Sequence, residues 1–147
     1  MFLGQYRHSI DAKGRLTVPA RFRELLTDGA YITQGFEGNL MVLTSQGFEA
    51  MTAQVNRASL TDPTARDLRR LLFSNADRVT PDSNGRILIP QFLRDSYHLD
   101  GDAVLIGVGA YFEIWTPEDW ERKMELLQDT AANAERFSGL TLSTSTE

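Results

Sequence analysis

The sequence has no cysteine, which removes disulfide staples, thiolate catalysis and cysteine-based metal sites and agrees with a reducing compartment. It has only two histidines, His8 and His98. Neither has a second imidazole at helical ligand spacing, and His-x-Glu and His-Glu-x-x-His patterns are absent, so no metal site is expected. There is no Gly-x-Ser-x-Gly elbow for a serine nucleophile. Gly107-Val-Gly109 lacks the rest of a dinucleotide fingerprint and reads as a bend in a hairpin. These gaps disfavour an enzyme: no catalytic residue, cofactor or small-molecule substrate is predicted. No apolar run is long enough to cross a bilayer, and Met1 to Ile10 lack a signal-peptide core. The expectation is a soluble, cytoplasmic protein.

What remains is a chain of ordinary globular composition. Its 147 residues are 41% hydrophobic and 24% charged, enough for a buried core. The net charge of −5 argues against nucleic acid until its distribution is read. Residues 1–96 hold 12 Lys+Arg against 10 Asp+Glu, whereas residues 97–147 hold 3 against 10. Of the 15 cations only Lys13 and Lys123 are lysine, a bias towards the planar guanidinium that recognises acceptors in pairs.

The chain also repeats itself. Asp11-Ala-Lys-Gly-Arg15-Leu-Thr-Val-Pro19-Ala-Arg-Phe-Arg23 aligns with Asp82-Ser-Asn-Gly-Arg86-Ile-Leu-Ile-Pro90-Gln-Phe-Leu-Arg94. Asp, Gly, Arg, Pro and the final Arg are identical, and the apolar positions between them keep their character. Phe2 and Arg7 fall on Phe73 and Arg78, and the correspondence runs on through Gly29/Gly101 to Phe48/Trp120. Two copies make a duplication, with two similar halves.

Each half predicts the same elements. Extended segments at Tyr6–Ile10 and Arg78–Pro81 enter the Asp-x-x-Gly-Arg turn, and Arg15–Val18 and Arg86–Ile89 leave it as strands. The pattern reads as a hairpin whose glycine supplies a positive φ. Pro19 and Pro90 suit the first position of short helices, Ala20–Leu26 and Gln91–Leu99. Strands at Ala30–Gln34, Leu40–Leu43, Ala103–Val108 and Tyr111–Trp115 follow. Each half closes with a helix, marked by Phe48, Met51 and Val55 in the first and by Trp120, Met124 and Leu127 in the second. Between the halves, Asp62-Pro63 opens a helix with Leu68, Leu71 and Leu72 on one side. Arg66, Arg69 and Arg70 lie largely on the other and read as a solvated face paired with acids. Phe36, Phe48, Tyr111, Phe112, Trp115 and Trp120 read as core or subunit interface. The predicted organisation is a first repeat at 5–47, a second at 76–119, a terminal helix at 120–129 and a flexible tail at 130–147.

Two readings of the Asp-x-x-Gly-Arg turn stay open. In the first it is structural: the aspartate accepts turn N–H groups and pairs with the arginine. In the second, Asp11 and Asp82 orient Arg15 and Arg86 so that they project from a ribbon tip into the DNA major groove, where arginine donates twice to guanine. Lys13 and Asn84 then sit beside them, and Arg7 and Arg78 position the protein on phosphate. Arg21, Arg23 and Arg94 read as a solvated helix face, with a phosphate-facing stripe as the alternative.

The opening through Arg23, with the second Asp82–Pro90 motif, closely resembles the MraZ family of bacterial transcriptional regulators. The likeness covers nearly the whole chain outside the tail and carries that family's signature onto Asp11, Arg15, Asp82 and Arg86. It implies an α+β fold of two pseudo-symmetric SpoVT/AbrB-like halves, with a β-barrel-like core of swapped-hairpin type and short flanking helices. It further implies a nucleoid-associated, ring-shaped homo-oligomer on double-stranded promoter DNA with direct repeats, repressing the division and cell-wall gene cluster and its own gene. The alternative is an antidote-like protein-interaction module, against which the second full copy counts; a small hydrolase is the remaining class.

Overall fold

A computed structural model describes residues 1–145 and divides the chain into two compact units, Met1–Pro117 and the residues from Glu118 on. The first unit holds eight strands: β1 Gln5–Ser9, β2 Arg15–Thr17, β3 Ala30–Gln34, β4 Leu40–Thr44, β5 Asp77–Val79, β6 Arg86–Leu88, β7 Asp102–Gly107 and β8 Tyr111–Trp115. Its helices are α1 Ala20–Arg23, continued by a 3-10 turn at Glu24–Leu26, then α2 Ser45–Asn56, α3 Pro63–Ser74 and α4 Gln91–Tyr97.

All strand pairs are antiparallel, giving a six-stranded sheet in the order β1-β7-β8-β4-β3-β5 and a separate ribbon, β2-β6. The fold is therefore α+β, but the barrel-like core expected above is absent among the described residues: β1 and β5 are the two sheet edges, and no pairing joins them. The simple hairpin within a half is also corrected. Ile10 bridges Leu16, and Asp11 N–H bonds the Arg15 carbonyl at 3.0 Å, but the strands then part. β1 pairs with β7 of the second half, β5 pairs with β3 of the first, and β2 pairs with β6. β2 keeps the Arg15 carbonyl for the Asp11 turn and runs its ladder with β6.

Burial explains the layers. Along β4, Leu40 and Val42 face a cluster with Leu16, Val18, Ile87 and Ile89 of the ribbon, while Met41 and Leu43 face one with Phe48 and Leu72 of α2 and α3. A strand covered on both faces reads as a continuous apolar run, as Leu-Met-Val-Leu does. The ribbon thus lies on one face of the sheet and α2 and α3 on the other. Phe22 of α1 centres the first cluster, with ring centroids 5.2 Å from Phe2, 5.3 Å from Tyr6 and 4.9 Å from Phe112. Tyr31 stacks on Phe48 at 4.3 Å in the second. Phe36 departs from the core reading and is 65% exposed.

The N-terminal segment runs against β7: Gly107 N–H bonds the Gly4 carbonyl at 2.8 Å, and a Cβ on Gly107 would lie 2.5 Å from the backbone of Phe2 and Leu3. Gly107 is there for that close approach, and the bend expected of this fragment is made at Gly109, φ +83°, between β7 and β8. In the inter-half helix α3, Asp62 caps the N-terminus by accepting Thr64 N–H at 3.0 Å. Leu72 is buried and Leu68 half-buried, while Leu71 is exposed. Arg70 pairs with Asp67 as expected, at 2.9 Å. Arg66 and Arg69 instead donate to carbonyls: Arg66 to Leu60, Arg69 to Asn56 and Ala58 at the end of α2. Guanidinium groups there satisfy the orphan carbonyls of a helix C-terminus.

The second unit carries α5, Pro117–Leu127, in which Trp120, Met124 and Leu127 are half-buried. The expected tail is corrected at its start. Asp129 accepts Ala132 N–H at 3.0 Å and caps a helix, α6, over Thr130–Arg136. Helix-forming alanines behind an N-cap are enough for two turns. Residues 146–147 of that tail lie outside the described residues.

Candidate nucleic-acid interface

Each Asp-x-x-Gly-Arg turn is built by the same bonds. Asp11 Oδ1 accepts the backbone N–H of Lys13 at 3.0 Å and of Arg15 at 2.8 Å, and Oδ2 accepts Arg15 Nε at 2.7 Å. Asp82 Oδ1 accepts Asn84 N–H and Arg86 N–H at 2.9 Å, and Oδ2 accepts Arg86 Nε at 3.0 Å. A side chain that bonds N–H groups two and four residues on replaces backbone turn bonds, and only Asp offers two oxygens and a charge at this length. The bond from Arg15 N–H, then those from its guanidinium and from Lys13 N–H, hold the Asp11 carboxyl below its ordinary value of 3.8, against some desolvation. Arg86 N–H leads the same downward shift in Asp82.

The turn glycines, Gly14 at φ +86° and Gly85 at φ +76°, occupy the left-handed region that side chains avoid. Each is also covered by the other half. Arg94 lies on Gly14 and Arg23 on Gly85, where a Cβ would collide with the guanidinium. The Gly14 carbonyl accepts Ile89 N–H and the Gly85 carbonyl accepts Val18 N–H, both at 2.9 Å. Arg23 and Arg94 are thus half-buried braces and not a solvated helix face; Arg21 is exposed. Nothing in the one-dimensional pattern pointed to this, although both arginines fall on the internal repeat.

Because β2 and β6 pair with each other, both arginines belong to one surface. The register sets Arg15 against Leu88, Leu16 against Ile87 and Thr17 against Arg86. Leu16 and Ile87 face the core, so Arg15, Thr17, Arg86 and Leu88 share the outer face. Arg86 Nη1 lies 3.7 Å from Asp11 Oδ2, so one carboxylate touches both guanidiniums. Arg15 and Arg86 keep 34% and 26% of their side-chain surface exposed. They are the first residues of their strands, at opposite ends of the three-residue ladder and on one face of it. Lys13 and Asn84 are exposed in the flanking turns.

Arg7 and Arg78 lie elsewhere, on the two edge strands of the sheet. Arg7 donates to Asp102 through Nε at 3.1 Å and Nη2 at 3.0 Å, and Ser9 adds a bond to the same carboxylate. Those bonds, Arg7 first, hold Asp102 below its ordinary value. The Arg78 guanidinium lies 5.7 Å over the Tyr31 ring. Neither contacts the Arg15–Arg86 cluster. Among the described residues no three His, Asp or Glu side chains group as metal ligands, and no helix is long and apolar enough to cross a membrane.

A ribbon bearing two aspartate-held arginines, each turn closed by the opposite half, defines a duplicated-turn class of chain. The sequence profile of a family described as "MraZ protein, putative antitoxin-like" matches it twice, over residues 1–71 and 72–139. The chain is 43% identical over 138 residues to "Transcriptional regulator MraZ" of Roseiflexus sp. (strain RS-1), covering 94% of each. It is 40% identical to the protein of that name from Herpetosiphon aurantiacus, across 94% of this chain and 97% of the relative. With its counterpart from Dictyoglomus turgidum it shares 46% identity, across 82% and 83%. This chain belongs to the MraZ family.

Proposed function

We propose that this chain is a sequence-specific DNA-binding transcriptional regulator that acts as a ring-shaped homo-oligomer. It represses the division and cell-wall gene cluster and its own gene by binding directly repeated promoter boxes, as a cytoplasmic, nucleoid-associated protein. Its two halves act as pseudo-symmetric SpoVT/AbrB-like repeats, 5–47 and 76–119, with 120–129 the closing helix of the second.

The observation that carries this reading is the co-facial pair Arg15 and Arg86, each held at Nε by its own aspartate. A guanidinium is planar by itself, and a bond at Nε fixes which way that plane and its outer nitrogens, the fork that matches guanine O6 and N7, are turned. Asp11 and Asp82 orient the pair, Lys13 meets phosphate, and Asn84 meets phosphate or adenine. Arg7 and Arg78, on the sheet edges, position the duplex through its backbone. One such ribbon per chain gives modest affinity, and joining copies multiplies it through effective concentration, which suits repeated boxes. The acidic residues 97–147 face away from the duplex or lie between copies.

The test is a gel shift on the duplex upstream of the chain's own gene. Specific binding should fall with salt at a log–log slope of about −0.9 per phosphate neutralised. Arg15→Ala should weaken it about 5- to 150-fold, the range for one bidentate base contact, with the thermal melt unchanged. A flat salt dependence and an indifferent Arg15→Ala would favour the antidote-like protein-interaction module.

A further inference from the structure

The two halves repeat their arginines but not the residues around them, and the cross-half pairing sorts the differences. At an offset of 71, Ala12, Lys13 and Thr17 of the first half correspond to Ser83, Asn84 and Leu88 of the second. Arg15 lies opposite Leu88, and Ile89 N–H bonds the Gly14 carbonyl, so Leu88 is beside the Ala12–Lys13 turn. Thr17 lies opposite Arg86, and Val18 N–H bonds the Gly85 carbonyl, so Thr17 is beside the Ser83–Asn84 turn. One end of the ribbon therefore carries an alanine, a lysine and a leucine around its arginine. The other carries a serine, an asparagine and a threonine. Had each half paired with itself, both ends would be mixed.

Leu88 is 56% exposed on the face that holds both arginines, while its neighbours Ile87 and Ile89 are fully buried. On a face that meets base edges, the one apolar group a base offers such a side chain in the major groove is the thymine methyl. Resting on the DNA-binding reading above, we infer that the ribbon reads duplex DNA with a fixed polarity. Its Leu88 end packs on a thymine 5-methyl group, and its Thr17–Asn84 end faces bases through hydrogen bonds. Leu88 is thus a specificity-determining residue, and each box is non-palindromic.

The experiment replaces each thymine of the footprinted box by deoxyuridine, which deletes only the methyl group. Affinities of the full-length wild type and of Leu88→Ser are compared by fluorescence anisotropy, with thermal melts confirming the fold. For the wild type, one thymine position per box should cost about three- to fourfold, the value of one buried methyl group. Leu88→Ser, which carries no methyl group, should bind the thymine duplex as weakly as wild type binds the deoxyuridine one, and should lose nothing more on substitution. Reversing one of two adjacent boxes should lower wild-type affinity to that of a single box. Wild-type binding indifferent to every methyl, discrimination retained by Leu88→Ser, or equal affinity for the reversed box would each overturn the inference while leaving DNA binding intact. No shift of any upstream duplex by the wild type would overturn the DNA reading, and this inference with it.

Discussion

Asp11 Oδ2 lies 2.7 Å from Nε of Arg15 in its own half and 3.7 Å from Nη1 of Arg86 in the other, while Asp82 pairs with Arg86. The two aspartates are therefore unequal. Asp11→Ala should misplace both guanidiniums and weaken DNA binding more than Asp82→Ala, which releases one. Side-by-side titrations of the two variants check this, and equal losses would reduce the cross-half contact to proximity.

Acid should undo both turns. The Asp11 and Asp82 carboxyls are held below 3.8 in the folded chain, chiefly by backbone N–H bonds, so the unfolded chain takes up protons first as pH falls. Their contribution to stability is complete above about pH 5, declines as pH falls through the unfolded value, and is lost below the folded one. Denaturant midpoints measured from pH 7 to pH 3 should show a drop that Asp11→Asn and Asp82→Asn each diminish. An unchanged acid profile in both variants would count against it.

The glycine of the second turn answers to a residue of the first half. Gly85→Ala meets a positive φ, costing about 1–2 kcal/mol, and also the Arg23 guanidinium lying on its Cα. Adding Arg23→Ala should recover the collision and leave the φ cost. A double-mutant cycle on thermal stability should therefore be non-additive, and strict additivity would mean that Arg23 moves aside freely.

His98 ends α4 at φ 56°, ψ 39°, the left-handed cap position that glycine fills without strain. His98→Gly should raise stability by about 1 kcal/mol, or roughly 2–4 °C in Tm for a chain of this size. The site is exposed and lies off the ribbon, so DNA affinity should not change. A lower Tm would show that the imidazole makes a compensating contact.

Local chemistry was legible in the sequence, and long-range pairing was not. The short helices begin at Ala20 and Gln91, with Pro19 and Pro90 at the N-cap instead of the first helical position, the Asp-x-x-Gly-Arg turns form, and the strand positions agree, because turn residues and apolar patterning act within a few residues. The hairpin reading failed because it assigned β1 to its neighbour β2, when its partner β7 lies some 95 residues on. Nothing local encodes that choice. Arg23, Arg94, Arg66 and Arg69 were misread for a related reason. An arginine on a short helix looks solvated until the fold shows which glycine or carbonyl lies within its reach. Of the site, the identities of Arg15 and Arg86 could be read from the repeat; that they share a face, and that Asp11 serves both, required the β2–β6 register.

Among the described residues β1 has its only ladder partner in β7, in the other half of the chain. During synthesis β1 waits for β7 to emerge, while the first half alone can close only the β3–β4 pair, too small to be stable by itself. Assembly is therefore a late, whole-chain event, slow for the chain's length, and the nascent polypeptide is open to aggregation until its second copy has been delivered.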